Sequence, residues 1–195
     1  MVIYIDTETT GLYPGNICQL SYIIQNGKYL TTKNMYFKVD KVDLNAQMVH
    51  GLTVEKLKVL SNGLTFSQRI EEIENDLNSA DVIVAHNTNF DLMFLRAEFE
   101  RCGKILCYEN TFCTMKSTIG LCKLKRKSGG YKYPKLSETC DFFNITERDL
   151  TDATISLFDE DCGFHDARKD TVAVYLVVNK AIEKYGLFNE IKEYL

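Results

Sequence analysis

A chain of 195 residues, 45% hydrophobic and 26% charged, has enough apolar surface for one sizeable core, which excludes disordered and fibrous classes and is read as a single domain, 1–195. No run approaches the roughly 18 consecutive apolar residues of a membrane span, and no basic segment precedes an apolar one at the N-terminus, so a cytoplasmic protein without membrane contact is expected. The net charge of −4 argues against a uniformly basic nucleic-acid binder, but 7 of the 23 basic residues lie between Lys116 and Lys135, where there is no acidic one.

In chain order, Val2 to Ile5 is β-prone, and Gly11 and Pro14-Gly15 mark a reversal. Ile17–Gln25 and Tyr29–Val39 read as strands joined at Asn26-Gly27, a two-residue hairpin signal, which gives a three-stranded antiparallel meander. Leu44–His50 reads as a short helix, and Thr53 is a plausible N-cap for the next one, with Glu55 just inside it. Thr65 or Ser67 caps a clearer helix with Phe66, Ile70, Ile73 and Leu77 at helical spacing. Asp81–Ala85 is a compact apolar run, read as a buried strand beside the first. Asn87 or Asn89 caps a helix with Phe90, Met93, Phe94 and Ala97 on one face, ended by Gly103. Thr111–Ile119 is predicted helical, the basic segment to Pro134 a loop, and Leu136–Phe143, Thr171–Tyr185 and Phe188–Leu195 helical. This order points to a mixed α/β sheet with helices on its faces and ligands gathered at strand ends near the first strand. The seven cysteines are odd in number and never spaced Cys-x-x-Cys, and are expected to be reduced and mostly buried.

Three short motifs carry chemistry. In Asp6-Thr-Glu8 the carboxylates sit two apart on a strand and project to one face, where their repulsion calls for a cation; carboxylate oxygens suit Mg²⁺ or Mn²⁺. Asp91, in His86-Asn-Thr-Asn-Phe-Asp91, falls in the first turn of a helix near the end of a strand and can reach the same place. In His165-Asp-Ala-Arg-Lys-Asp170, five residues on a helix is about 500°, so the imidazole belongs to the preceding turn and Asp170 to the helix. There the carboxylate is rigid and the imidazole free to meet a water; Asp166 reads equally as an N-cap.

Together, Asp6-Thr-Glu8-Thr-Thr-Gly11, Ala85-His-Asn-Thr-Asn-Phe-Asp91 and His165-Asp-Ala-Arg-Lys-Asp170 resemble, in order and spacing, the three motifs of the DEDDh 3′ to 5′ exonucleases. Within that family the likeness is greatest to the proofreading epsilon subunits of bacterial DNA polymerase III and their stand-alone relatives, and it runs from Ile3 to about Ala181. Val49-His50-Gly51-Leu52-Thr53 is similar to a family segment lining the terminal-nucleotide pocket, and Leu136–Phe143 to a family helix before the third motif. The resemblance implies a ribonuclease H-like α/β fold, with Asp6, Glu8, Asp91 and Asp170 holding two Mg²⁺ or Mn²⁺ ions and His165 as general base. It implies hydrolysis at the 3′ end of single-stranded nucleic acid, DNA favoured over RNA, to nucleoside 5′-monophosphates. It also implies that Thr7, Thr9, Gly11, Leu12, His50, Asn87 and Phe90 meet the terminal nucleotide, and that the partner besides nucleic acid is a polymerase or a second copy of the chain. The chain stops soon after the last motif helix, so a long polymerase-binding tail is not expected. Lys123, Lys125, Arg126 and Lys127 are the expected positive track for substrate in an otherwise acidic chain. An exoribonuclease or oligoribonuclease of the same family is the alternative. A non-catalytic nucleic-acid binder should lack one of the five polar groups, and none is missing. A His-Asp phosphohydrolase needs more metal-binding histidines than His50 and His86 supply.

Overall fold

The first strand, β1 (Val2–Thr9), runs through the middle of the molecule and divides its side chains between two apolar layers, Ile3 and Ile5 facing one, Val2 and Tyr4 the other. The computed structural model describes residues 1–12, 15–163 and 165–195. After β1 come β2 (Ile17–Asn26) and β3 (Tyr29–Tyr36), then α1 (Leu44–His50), α2 (Val54–Leu60), α3 (Phe66–Leu77), β4 (Val82–Ala85), α4 (Thr88–Arg101) and β5 (Asn110–Cys113). The rest is helical apart from loops: α5 (Thr114–Ser117), α6 (Ile119–Cys122), α7 (Leu136–Phe142), α8 (Glu147–Phe158), α9 (Ala167–Tyr185) and α10 (Asn189–Lys192). The sheet order is β3-β2-β1-β4-β5, antiparallel from β3 to β1 and parallel from β1 to β5. This is the expected mixed α/β sheet with helices on both faces.

One face carries α3 and α4, whose Phe66, Ile73, Leu95 and Phe99 close over Ile3, Ile5 and Ile83. The other carries α7 to α10, with Val174, Val177 and Val178 of α9 over Val2, Tyr4 and Val84. A small third core of Cys18, Val39, Leu52 and Leu57 lies under α1 and α2. Alternation along β1 therefore sends Asp6 and Glu8 to the α9 side and Thr7 to the α4 side. Glu8 pairs with Gln19 and Thr9 with Ile17, so Cys18 is the extra residue of a bulge where β1 leaves the sheet.

Several expectations are corrected. Thr111–Ile119 is not one helix: Thr111, Phe112 and Cys113 extend as β5, pairing in parallel with β4, and only two short helical turns follow. The segment before Pro134 is not an open loop but contains a small hairpin, described below. Helix α8 was not anticipated, although its capping box is written in the chain, with Thr146 accepting from Asp149 N–H and Asp149 accepting from Thr146 N–H. In the meander the two turn residues are Gly27 and Lys28, since Asn26 still pairs with Tyr29, and Gly27 takes φ +57°. Strand β3 stops at Tyr36, α9 begins at Ala167, and α10 is a single turn within Phe188–Leu195. In α4 the buried apolar face runs through Leu92, Leu95 and Phe99 with Phe94, and Met93 is exposed. Only Cys18 and Cys140 are buried, so the cysteines are not mostly core residues, and all seven are free thiols. Among the described residues no helix is long and apolar enough to cross a membrane.

Candidate active site

The carboxylates converge where β1 meets the start of α9. Asp6 and Glu8 come from the strand, and Asp170 from the first turn of α9, which packs on it; oxygens of all three lie within 4.8 Å of one another. Asp91 arrives from the opposite layer. It sits in the first turn of α4, 3% exposed, and accepts a 2.9 Å hydrogen bond from the Thr7 hydroxyl on the α4 side of β1. Sequence spacing therefore brings three carboxylates into one triplet, with the fourth beside it across the strand.

Each member of this group is shifted upward. Burial, then repulsion from Asp170, Asp91 and Glu8, drives the Asp6 carboxyl well above the usual carboxylate range. Burial and the charges of Asp170, Asp166 and Asp91 push Glu8 up to about 9. Burial raises Asp91 to about 7 against the opposing hydrogen bond from Thr7, and raises Asp170 to about 6 against the pull of His165. An all-oxygen, anionic donor set whose members repel one another fits a hard divalent cation such as Mg²⁺ or Mn²⁺.

Asp166 is the contrasting neighbour. It caps α9 through the Arg168 N–H, as one reading of the motif expects. Its carboxylate also receives the Arg168 guanidinium at 2.9 and 2.8 Å, the Gln19 amide at 2.9 Å and the Tyr36 hydroxyl at 3.2 Å. These bonds hold its carboxyl below the usual value in spite of burial. Arg168 is further paired with Glu160. This network clamps the turn that carries His165, an exposed residue in the left-handed region at φ +59°.

The three histidines divide their labour. His50 Nδ1 accepts from Leu52 N–H at 3.0 Å, which leaves the proton on Nε2, 3.2 Å from the Thr9 carbonyl. His86 Nε2 lies 3.0 Å from the Pro134 carbonyl and so donates, and Nδ1 accepts from the Thr114 hydroxyl at 3.0 Å. Burial lowers both of these imidazoles, which favours the neutral tautomers so assigned. His165 faces solvent beside Asp170, and among the described residues its ring has no such hydrogen bonds.

Beside the carboxylates opens a cleft of about 320 Å³ lined by Thr7, Glu8, Thr9, Gly11, Leu12, His50 and Phe90. Leu12, 83% exposed, and Phe90 offer apolar surface to a base. The Thr7 and Thr9 hydroxyl protons are already used, on Asp91 and on the Gly11 carbonyl at 2.8 Å, so these residues shape the cleft rather than present free donors. Sequence reasoning missed Asp43, Asn45 and Ala46 of the same wall. Their signal was Asp43 ahead of the Leu44–His50 helix, where it is the N-cap residue. Gly11 lets Asp43 approach β1 closely, since a Cβ there would lie 2.3 Å from Asp43 Oδ2 and that carboxylate would have to shift. Asn87 and the four basic residues expected at the substrate do not line the cleft: Asn87 is the N-cap residue of α4 at φ +81°, and Lys123, Lys125, Arg126 and Lys127 are exposed on the hairpin.

The RNase_T family, described as exonucleases, matches residues 3–178, nearly the whole chain and all three motifs. The chain belongs to the RNase_T exonuclease family. Among curated proteins it is 29% identical over 153 residues to the DNA polymerase III subunit epsilon of Salmonella typhimurium, covering 73% of this chain and 60% of that one. It is 30% identical over 141 residues to the 3′-5′ exonuclease DinG of Bacillus subtilis, covering 70% of this chain and 14% of that one. The chain thus spans about 60% of the first curated relatives it matches. The fold is that of E. coli exonuclease I, solved in complex with a dA16 oligonucleotide, with a TM-score of 0.75 at 15% identity over 98% of this chain and 43% of that one. The RNase_T match includes the acidic cluster at the end of β1.

Proposed function

We propose that residues 1–195 act as one exonuclease domain that hydrolyses the terminal phosphodiester at the 3′ end of single-stranded nucleic acid, DNA in preference to RNA, releasing nucleoside 5′-monophosphates. The observation that carries this reading is the triplet of Asp6, Glu8 and Asp170, all raised chiefly by burial, with Glu8 itself lining a cleft that has apolar surface for a base. Asp6, Glu8, Asp91 and Asp170 would hold two Mg²⁺ or Mn²⁺ ions, which supply Lewis-acid activation of the phosphodiester and of the attacking water. His165 takes the proton of that water, since His50 and His86 spend both ring nitrogens on structural hydrogen bonds. Leu12 and Phe90 hold the terminal base, and His50 fixes the cleft wall against the Thr9 carbonyl. Asp166, Gln19, Tyr36 and Arg168 keep the turn that carries His165 in place.

Support for the polarity of attack and for a single-stranded substrate comes from what the relatives are named for and crystallised with. The test is incubation of 5′-labelled single-stranded DNA and RNA with Mg²⁺, Mn²⁺ or EDTA. A ladder shortened one nucleotide at a time from the 3′ end, faster for DNA and absent in EDTA, is the expected result. Cleavage from the 5′ end or within the strand overturns the reading, and a faster RNA ladder moves the substrate to the oligoribonuclease alternative.

A further inference from the structure

The basic segment is built, not merely charged. Lys125 and Tyr131 form an antiparallel bridge, Arg126 N–H donates to the Gly130 carbonyl at 3.0 Å and Lys132 N–H to the Leu124 carbonyl at 2.8 Å. The reversal uses Gly129 at φ +91° and Gly130 at φ +73°, a left-handed pair that glycine adopts without strain. Lys123, Lys125, Arg126 and Lys127 stand exposed on this hairpin, and so do Tyr131 and Tyr133; the Arg126 guanidinium lies 5.8 Å from the Tyr133 ring centre. Lys132 is neutralised by Glu138 at 2.5 Å, which leaves the outer four cations without an acidic partner among the described residues.

The base of the hairpin is anchored at the catalytic edge of the sheet. Pro134 is buried, and its carbonyl is held by His86, which directly follows β4. Tyr4 pairs with Val84 at the end of the parallel register, and Asp6 and His86 each follow two residues beyond that pair, at the same end of neighbouring strands. From Pro134 to the Gly129 turn is five residues, about 16 Å at roughly 3.3 Å per residue, or about five stacked nucleotides at roughly 3.4 Å each.

We propose that this hairpin is a guide for the upstream part of a single-stranded nucleic acid whose 3′ end occupies the carboxylate cleft. The proposal rests on the exonuclease reading above and adds the contacts that grip the strand. Exposed cations match phosphates, and the tyrosine faces beside them match unpaired bases, whose rings a duplex would hide. Strands of one to three nucleotides fall short of the turn, and strands of eight or more reach it.

The experiment pairs binding with turnover. Anisotropy of a labelled 10-nucleotide DNA strand is followed in EDTA, and KM is measured against salt for the 10-mer and for the p-nitrophenyl ester of thymidine 5′-monophosphate. Changing Lys123, Lys125, Arg126 and Lys127 together to Ala should weaken binding of the 10-mer at least about tenfold and lower the log–log salt slope by up to roughly 3, at about 0.7 per phosphate contact. The ester KM and the kcat at saturation should stay within about twofold. Tyr131→Ala with Tyr133→Ala should raise the 10-mer KM while leaving the salt slope at the wild-type value. Wild-type affinity and slope in the quadruple variant, or equal binding of a 10-base-pair blunt duplex, overturns the guide while leaving the exonuclease reading intact. Binding that depends on the hairpin without any hydrolysis by the wild type overturns the exonuclease reading instead.

Discussion

Asp166 and Asp170 lie one helical turn apart at the start of α9, both carboxylates are largely removed from water, and they are shifted in opposite directions. Asp166 is lowered because Arg168, Gln19 and Tyr36 surround it with donors. Asp170 is raised chiefly by burial, with the charge of Asp166 adding to it, and the pull of His165 and Lys169 does not offset this. Burial raises both carboxyls; at Asp166 the donors outweigh it, and at Asp170 the neighbouring charges do not. One turn of helix therefore holds a finished ion pair, which stabilises the fold, beside an unfinished one, which waits for a cation.

The comparison breaks most visibly in turnover. Asp6→Ala and Asp170→Ala should each cut kcat by about a thousandfold or more while the circular dichroism spectrum is unchanged, because each removes a ligand from the unfinished pair. Retention of more than about a tenth of wild-type turnover would show that the cluster is not the reaction centre. His165→Ala comes next, with an expected loss of about 10² to 10⁴ in kcat at little change in KM. A variant that keeps wild-type kcat assigns the proton transfer to another group.

Stability sharpens the contrast. In EDTA near pH 8, urea midpoints should show Asp170→Asn stabilising the protein by about 1 to 3 kcal/mol, since one repelling charge is gone. Asp166→Asn should destabilise it by about 3 kcal/mol, because Arg168 is left buried without its carboxylate. The same sign for both would mean that burial alone governs this turn. The smallest effect is the pH trend. Carboxyls raised on folding stabilise below their unfolded values and lose that contribution as pH rises, here through about 6, 7 and 9 for Asp170, Asp91 and Glu8. The lowered Asp166 works the other way, its contribution being lost only as pH falls through the acid range. The metal-free melting temperature should therefore drift down between about pH 5 and 9, and the gain from added Mg²⁺ should grow over that interval. A gain that is flat with pH would disconnect the cation from these carboxylates.

Much of this was legible in the chain because short-range periodicity carries it. Strand alternation puts Asp6 and Glu8 on one face, and the turn-then-helix reading of 165–170 separates the imidazole from Asp170. Helix α8 escaped notice because its first turns, Glu147-Arg-Asp-Leu-Thr-Asp152, are almost wholly polar and only the Thr146 and Asp149 capping pair announces it. Strand β5 is four residues long and exists because β4 offers it an edge, a tertiary fact that Thr111 to Cys113 do not record. Composition showed where the positive charge lies but not that Gly129 and Gly130 turn it into a hairpin. The clamp on Asp166 joins residues up to 147 positions apart, Gln19 among them, and no local pattern predicts such a contact.

Helix α1 contributes no buried residue of its own. It hangs from the end of β1 by the Asp43 N–H on the Thr10 carbonyl at 2.9 Å and by His50 on the Thr9 carbonyl, with its support in the small core under α2 rather than in either main layer. This wall of the cleft is thus fastened to the end of β1 but packs in neither of the two main layers. For an engineer, residues 42–52 are a segment to vary: with Asp43, His50 and Leu52 kept as the fasteners, substitutions at Asn45, Ala46 and Val49 change the cleft wall at a position where helix α1 buries no residue, so the expected cost to folding is small.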